Sequence, residues 1–166
     1  MAARRRPRAE DRLNAIRTAL QGIASHADPL DVTPELASLH PKNDTFPGEV
    51  LLALAADALD EAGASREHPV SYEGLRERYL PEIEFRGRVE HHKSHYALQA
   101  AAMIHGGVEP DLLGEVTWWN RDDLWLWSLY ALVIYVRVAA ERTGRTVGAI
   151  CQSVATRHGV DLIPEA

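Results

Sequence analysis

The sequence predicts an all-α fold, a single-domain bundle of about five main helices. Three observations support this prediction: apolar residues recur every three or four positions in several segments, glycine or proline follows these segments, and no segment shows the alternation of a strand. One helix, at about residues 121–143, is apolar on all sides and is expected to lie at the centre of the bundle. Residues 9–166 are expected to form this domain, and residues 1–8 a flexible arginine-rich arm.

Composition narrows the class of protein. The chain has 166 residues, enough for one domain, and its 46% hydrophobic and 25% charged residues are typical of globular proteins. A net charge of -6 argues against a general polyanion binder. Cys151 is the single cysteine, which excludes an intramolecular disulfide and a cysteine-rich metal centre.

Residues 10–26 are amphipathic rather than continuously apolar, so we expect a cytoplasmic protein without a signal peptide. The predominance of arginine over lysine favours a GC-rich bacterial genome.

The first helix is predicted from Ala9 to Ala27. Leu13, Ile16, Leu20 and Ile23 form its apolar stripe, and Asp28-Pro29 ends it. Four prolines between residues 29 and 47 then predict a connecting loop with one short helix at about residues 34–39.

The second main helix is predicted from Pro47 to Ala62, with Gly63 placed to terminate it. Three acidic residues mark its solvent-exposed side: Asp57, Asp60 and Glu61. A shorter helix is expected after Ser71, which is a suitable N-cap, and Pro81 ends it.

The third main helix is predicted from Arg86 to His105 and is closed by two glycines. At 100° per residue, five of its apolar residues share one side: Val89, Tyr96, Ala100, Met103 and Ile104.

The fourth helix is the most informative segment. Asn120 and Asp123 resemble a helix cap, and residues from Leu124 to Val136 are apolar or aromatic except for Ser128. Thirteen helical residues rise only about 20 Å, whereas the hydrocarbon core of a bilayer is about 30 Å thick. The pattern therefore predicts a buried central helix and no transmembrane segment.

The last helix follows a break at Gly144. Thr146 is its predicted N-cap, and Gly159 marks its end. The inner stripe includes Cys151, which is therefore expected to pack in the core and not to act as a nucleophile.

Histidines give the first candidate site. His91 and His95 are four residues apart, so they share one face of the third helix and could bind one metal ion. A third ligand would have to come from Glu90, Asp122 or Asp123. The alternative interpretation is a solvated histidine face, and no other cofactor is indicated.

Arg86 and His91 give a second candidate site. The run Arg86-Gly87-Arg88-Val89-Glu90-His91, in an all-α chain, is similar to the signature of HEPN-type ribonucleases. This resemblance implies that His91 acts as general acid or base and that Arg86 stabilises phosphate charge. The family usually has a polar residue directly after the arginine, where this chain has Gly87.

Two further segments are candidates for partner binding. Trp118 and Trp119 precede the central helix and are the aromatic pair most expected to be exposed. The N-terminal arm carries four arginines, a pattern that suits an acidic protein partner or a nucleic-acid backbone: Arg4, Arg5, Arg6 and Arg8.

The sequence therefore favours a helical protein that acts by protein-protein association, as an oligomer or accessory subunit without catalysis of its own. Two alternatives stay open. One is a small helical enzyme, a HEPN-like ribonuclease or a metal-dependent hydrolase, that uses the His91 and His95 region. The other is a protein that contacts nucleic acid through its arginine arm.

Overall fold

The computed structural model describes residues 9–25, 46–71, 74–75, 91–107 and 121–163, without the side chains of 46–47, 91–96 and 121–127. Over these ranges the fold is all-α, as predicted, and no strand is present. Five helices form the bundle: α1 (Ala9–Ala24), α2 (Phe46–Glu61), α3 (His91–His105), α4 (Arg121–Thr143) and α5 (Val147–Arg157).

The middle of α4 is buried on every side, as its sequence predicts. Each residue from Leu129 to Val136 is no more than 6% exposed, and Ser128 is fully buried. Eight successive positions cover more than two helical turns, so neighbours must surround the helix. Those neighbours are α2, α3 and α5. Within the described ranges, no helix combines the length and the apolar character needed to cross a bilayer.

The centre of the bundle is shared between α4 and α2. Helix α2 packs against all four other helices, and its residues from Val50 to Ala56 are buried except Ala53. Several of its residues are alanines, whose small side chains allow neighbouring helices to approach closely. The sequence indicated a solvent-exposed side at Asp57, Asp60 and Glu61, and this is correct only for Asp60, whose side chain is 57% exposed. The side chains of Asp57 and Glu61 are 27% and 13% exposed because residues of α5 cover them.

Most of the predicted apolar stripe of the first helix is buried. Ile16, Leu20 and Ile23 are buried against α2 and α5, whereas Leu13 is 38% exposed. The helix ends at Ala24 and Ser25 lies in a turn, so the predicted end at Ala27 was too late by three residues.

The third helix buries only part of its predicted side: Ala100 is buried and Ile104 packs against the core, but Met103 is exposed. Its described buried residues are Ala97, Leu98, Ala100 and Ala101, whereas Met103 is 47% exposed. Three alanines on this face permit close packing on α2 and α4, and this close packing outweighs the burial of one larger residue. One hydrogen bond fixes the contact with α4: the Tyr135 hydroxyl donates to the Leu98 carbonyl oxygen at 2.8 Å. The predicted beginning of this helix at Arg86 lies outside the described residues.

The ends of α2 and α5 are closed in the same way. Gly63 and Gly159 have φ of 69° and 71°, a conformation that residues with a Cβ rarely adopt. In α5, the amide of Gly159 donates to Thr156 O and the amide of Val160 donates to Ala155 O, which is the Schellman pattern. Both glycines were predicted helix terminators, and both terminations are confirmed.

Candidate functional site

The predicted site residues fall mainly outside the described residues. Residues 1–8 and 108–120 are among those not described, so the arginine arm and the pair Trp118 and Trp119 stay predictions. Arg86 is also outside these ranges. His91 and His95 both lie in α3, as predicted, but their side chains are not described.

A cluster of charged side chains joins α2 to α5. Its acids are Asp57, Asp60 and Glu61, which occupy the last turns of α2. Arginines and histidines from three other places face them: Arg157 and His158 at the end of α5, Arg145 before α5, and His105 at the end of α3. We call these seven residues the α2–α5 charged cluster.

Arg157 contacts all three acids of the charged cluster. Its Nη1 lies 2.9 Å from Asp60 Oδ2 and 4.0 Å from Asp57 Oδ1, and its Nη2 lies 3.5 Å from Glu61 Oε1. Burial alone would lower the pKa of Arg157, but the hydrogen bond to Asp60 and the three nearby carboxylates outweigh burial and raise it. The guanidinium therefore stays charged and links two successive turns of α2.

Glu61 is the most enclosed acid of the charged cluster. Its side chain is only 13% exposed, and it accepts hydrogen bonds from the Ser153 hydroxyl and, at 3.4 Å, from Arg145 Nη1. Asp60, in contrast, is 57% exposed, and its hydrogen bond to Arg157, with a further contribution from His105, lowers its pKa. We therefore expect Glu61 to contribute more than Asp60 to the free energy of unfolding.

The histidines of the charged cluster are each aimed at one acid. His158 Nε2 donates to Asp57 Oδ2 at 2.6 Å, and His105 Nε2 lies 3.4 Å from Asp60 Oδ1. Each acid thus has a cationic or hydrogen-bonding partner from another helix. This arrangement holds α5 and the end of α3 on α2, and we interpret the charged cluster as a structural joint.

A sequence signal for this joint existed but was missed. Acidic residues in the last turn of a helix oppose the negative end of its dipole, so Asp60 and Glu61 are unfavourable there without compensation. Arg157, which is cationic, and His158 occur at the end of the final helix, where positive charge is favourable to the helix dipole. Only the folded arrangement shows that these two helix ends meet.

The single cysteine is a core residue, as predicted. Cys151 is fully buried in α5, and burial raises the pKa of its thiol to about 12. The thiolate, which is the nucleophilic form, is therefore scarce at neutral pH. Among the residues whose side chains are described, no three His, Cys, Asp or Glu residues come together as a metal site.

One helix has no charge among its described exposed side chains. On α3, the described exposed side chains are Gln99, Ala102 and Met103, followed by Gly106 beyond the helix end. We call these residues the α3 outer face. The exposed residues of the other four helices include charges, for example Arg17 on α1 and Glu141 on α4. The α3 outer face is therefore a helix surface suited to a contact without ion pairs.

Comparison with known proteins gives no relative. No protein-family model matches the chain, and no curated protein or solved structure matches it. The resemblance of residues 86–91 to the HEPN signature thus stays a prediction.

Proposed function

We propose that this chain acts through protein-protein association, as a self-associating or accessory helical subunit without catalysis of its own. The observation that carries this proposal is the α3 outer face, where Met103 is 47% exposed and the other exposed residues that the structure describes on α3 are uncharged. The proposal includes a bacterial, cytoplasmic setting, which the composition and the amphipathic first helix favour.

Met103 suits a contact surface for physical reasons. Its side chain is flexible and polarisable, so it adapts to irregular apolar partners. An uncharged surface can be covered by a partner without the unfavourable desolvation of ions. The α2–α5 charged cluster is less suited to this role because its acids already have partners within the chain.

The test compares one substitution on the α3 outer face with a matched one elsewhere. Met103→Glu places a charge on α3, and Leu13→Glu places the same charge on α1, where Leu13 is 38% exposed. Both variants are expected to keep the helical circular dichroism of the wild type because neither residue is buried.

Association is then measured in two ways. Light scattering gives the mass of the purified chain, and tagged chain is recovered from the encoding organism with its co-purifying proteins. We expect Met103→Glu to remove a complex that Leu13→Glu retains. A monomeric mass together with the same co-purifying proteins for all three forms would contradict the proposal.

A further inference from the structure

The segment that follows α5 is held across α1 and α5 through its main chain. Gln21 on α1 accepts from the Ile163 amide and donates to the Ile163 carbonyl oxygen, and Gln152 on α5 accepts from the Leu162 amide, all at 2.8–3.1 Å. We call residues 161–163 the strap, and the surface around the two glutamines the strap site. The three bonds bind main-chain groups only, so they do not depend on the side chains of the strap.

The side chains of the strap alternate between the protein and the solvent. Leu162 packs against the core, whereas Asp161 is exposed and Ile163 is 74% exposed. A period of two is the pattern of an extended chain that lies on a surface. The contact therefore uses main-chain groups together with one inward aliphatic side chain.

These two features are the ones by which proteins recognise extended peptides. In such complexes, main-chain hydrogen bonds supply affinity and pockets for alternate side chains supply specificity. A glutamine amide suits the first task because it both donates and accepts. We infer that the strap site is a peptide-binding site that the chain's own strap occupies. Its partner is an extended segment of another protein, with an aliphatic residue between two outward-facing residues. This inference goes beyond the proposed function, because the α3 outer face takes no part in it.

The strap can leave this site without disturbing α5. The Val160 amide donates to Ala155 O and the Val160 side chain is buried, so Val160 belongs to the end of the helix and stays in place. Both bonds at Ile163 are exposed to solvent, and contacts of this kind open locally at a low free-energy cost. Opening uncovers both glutamines and the apolar surface beneath Leu162.

The strap competes with any partner for the strap site. A ligand tethered by a short linker acts at an effective concentration on the order of millimolar. A free peptide binds only the fraction of molecules in which the strap is open, so its apparent affinity is reduced by that fraction. Weakening the strap should therefore strengthen peptide binding, a result that a purely structural strap would not give.

The test weakens the strap in the full chain and adds a free peptide. Leu162→Asp places a charge on the inward side chain and should release the strap, whereas Ile163→Asp places the same charge on the outward side chain and should not. The probe is a peptide with the sequence of residues 160–164, acetylated and amidated, and NMR titration of isotope-labelled chain measures its dissociation constant. We expect the peptide to bind Leu162→Asp at least about tenfold more tightly than the wild type or Ile163→Asp.

Substitutions in the strap site show whether the peptide binds there. Gln21→Ala, combined with Leu162→Asp, removes two main-chain bonds and should weaken peptide binding at least about tenfold. Asn14→Ala in the same background is the matched control and should bind as before. Circular dichroism reports whether each variant keeps its helices. If the Gln21→Ala combination does not, Gln152→Ala, which removes one main-chain bond, gives the same comparison with a smaller expected loss.

Three outcomes would overturn the inference. The peptide does not bind Leu162→Asp at millimolar concentration, or it binds equally with and without Gln21. In the third, the wild-type chain forms a dimer that Gln21→Ala dissociates, which would mean that the strap site takes the strap of a second copy. Met103→Glu, added to Leu162→Asp, should leave peptide binding unchanged, so failure of this inference and failure of the proposed function are separate results.

Discussion

Gln21 on α1 binds the backbone of Ile163, 142 positions away, with both ends of its side-chain amide. Its Oε1 accepts from the Ile163 amide at 2.8 Å, and its Nε2 donates to the Ile163 carbonyl oxygen at 3.1 Å. Gln152 on α5 holds the preceding residue, because its Oε1 accepts from the Leu162 amide at 3.0 Å. Two glutamines thus fix the segment after α5 across α1 and α5, while the Ile163 side chain remains 74% exposed.

Replacing Gln21 by Ala should release this segment. We expect the free energy of unfolding to fall by about 1 kcal/mol, since two partly exposed hydrogen bonds are lost. Hydrogen exchange at the Ile163 amide should become faster, which NMR can measure. Asn14→Ala, on the same helix, is the control and should leave that exchange rate unchanged; equal rates in the two variants would contradict the prediction.

The two neighbouring acids of the charged cluster should respond differently to neutralisation. Glu61→Gln should lower the free energy of unfolding by about 1–3 kcal/mol, because Arg157 and Arg145 both lose an enclosed charged partner. Asp60→Asn should change it by less than about 1 kcal/mol, since exposed ion pairs contribute little. Urea unfolding of the two variants measures the difference, and a larger effect from Asp60→Asn would show that the charged cluster is organised differently.

The lowered pKa of Asp60 predicts how stability changes with acid. Its hydrogen bond to Arg157 keeps the folded-state pKa below the unfolded value of about 3.9. Its contribution is therefore present above about pH 4 and is lost as the pH falls through the folded-state pKa. Between about pH 5 and pH 2, stability should fall less steeply in Asp60→Asn than in the wild type. Superimposable profiles from urea unfolding at stepped pH would refute this.

Cys151 should be inert in the folded chain. Burial and a thiol pKa of about 12 both suppress thiolate formation, so a maleimide should not label the native protein at neutral pH. In concentrated urea the same reagent should label it rapidly. Mass spectrometry of intact protein distinguishes the two states, and rapid labelling without urea would mean that α5 is not packed as described.

The buried hydroxyl of Tyr135 should stabilise the contact between α3 and α4. Burial raises the pKa of this phenol, so it remains protonated and able to donate to Leu98 O. Tyr135→Phe retains the ring and removes the bond, and we expect a loss of about 1 kcal/mol in the free energy of unfolding. An unchanged urea midpoint would indicate that the hydroxyl contributes nothing to this contact.

Features encoded in short segments could be predicted from the sequence. The Thr146 cap, whose hydroxyl accepts from the Ala149 amide, and the glycine at position 159 depend on only a few neighbouring residues. The burial of α4 followed from its composition alone, because apolar residues occupy all of its sides.

Features that depend on contacts between distant segments could not be predicted. The inward face of α3 was wrong for Met103 because periodicity does not reveal that alanines pack more closely against α2 and α4. The pairing of Asp57 with His158 joins positions 101 residues apart, and no local pattern reports it. The α3 outer face was missed for the same reason: its exposure is a result of how α3 is rotated in the bundle.

The packing of α2 on α4 has a consequence for the nascent chain on the ribosome. Leu54 and Leu129 are both fully buried, yet 75 residues separate them. At translation rates of about 5–20 residues per second, Leu54 is synthesised roughly 4–15 seconds before Leu129. During that interval the apolar sides of α2 lack their main cover, so a chaperone that shields nascent apolar segments should increase the yield of folded protein.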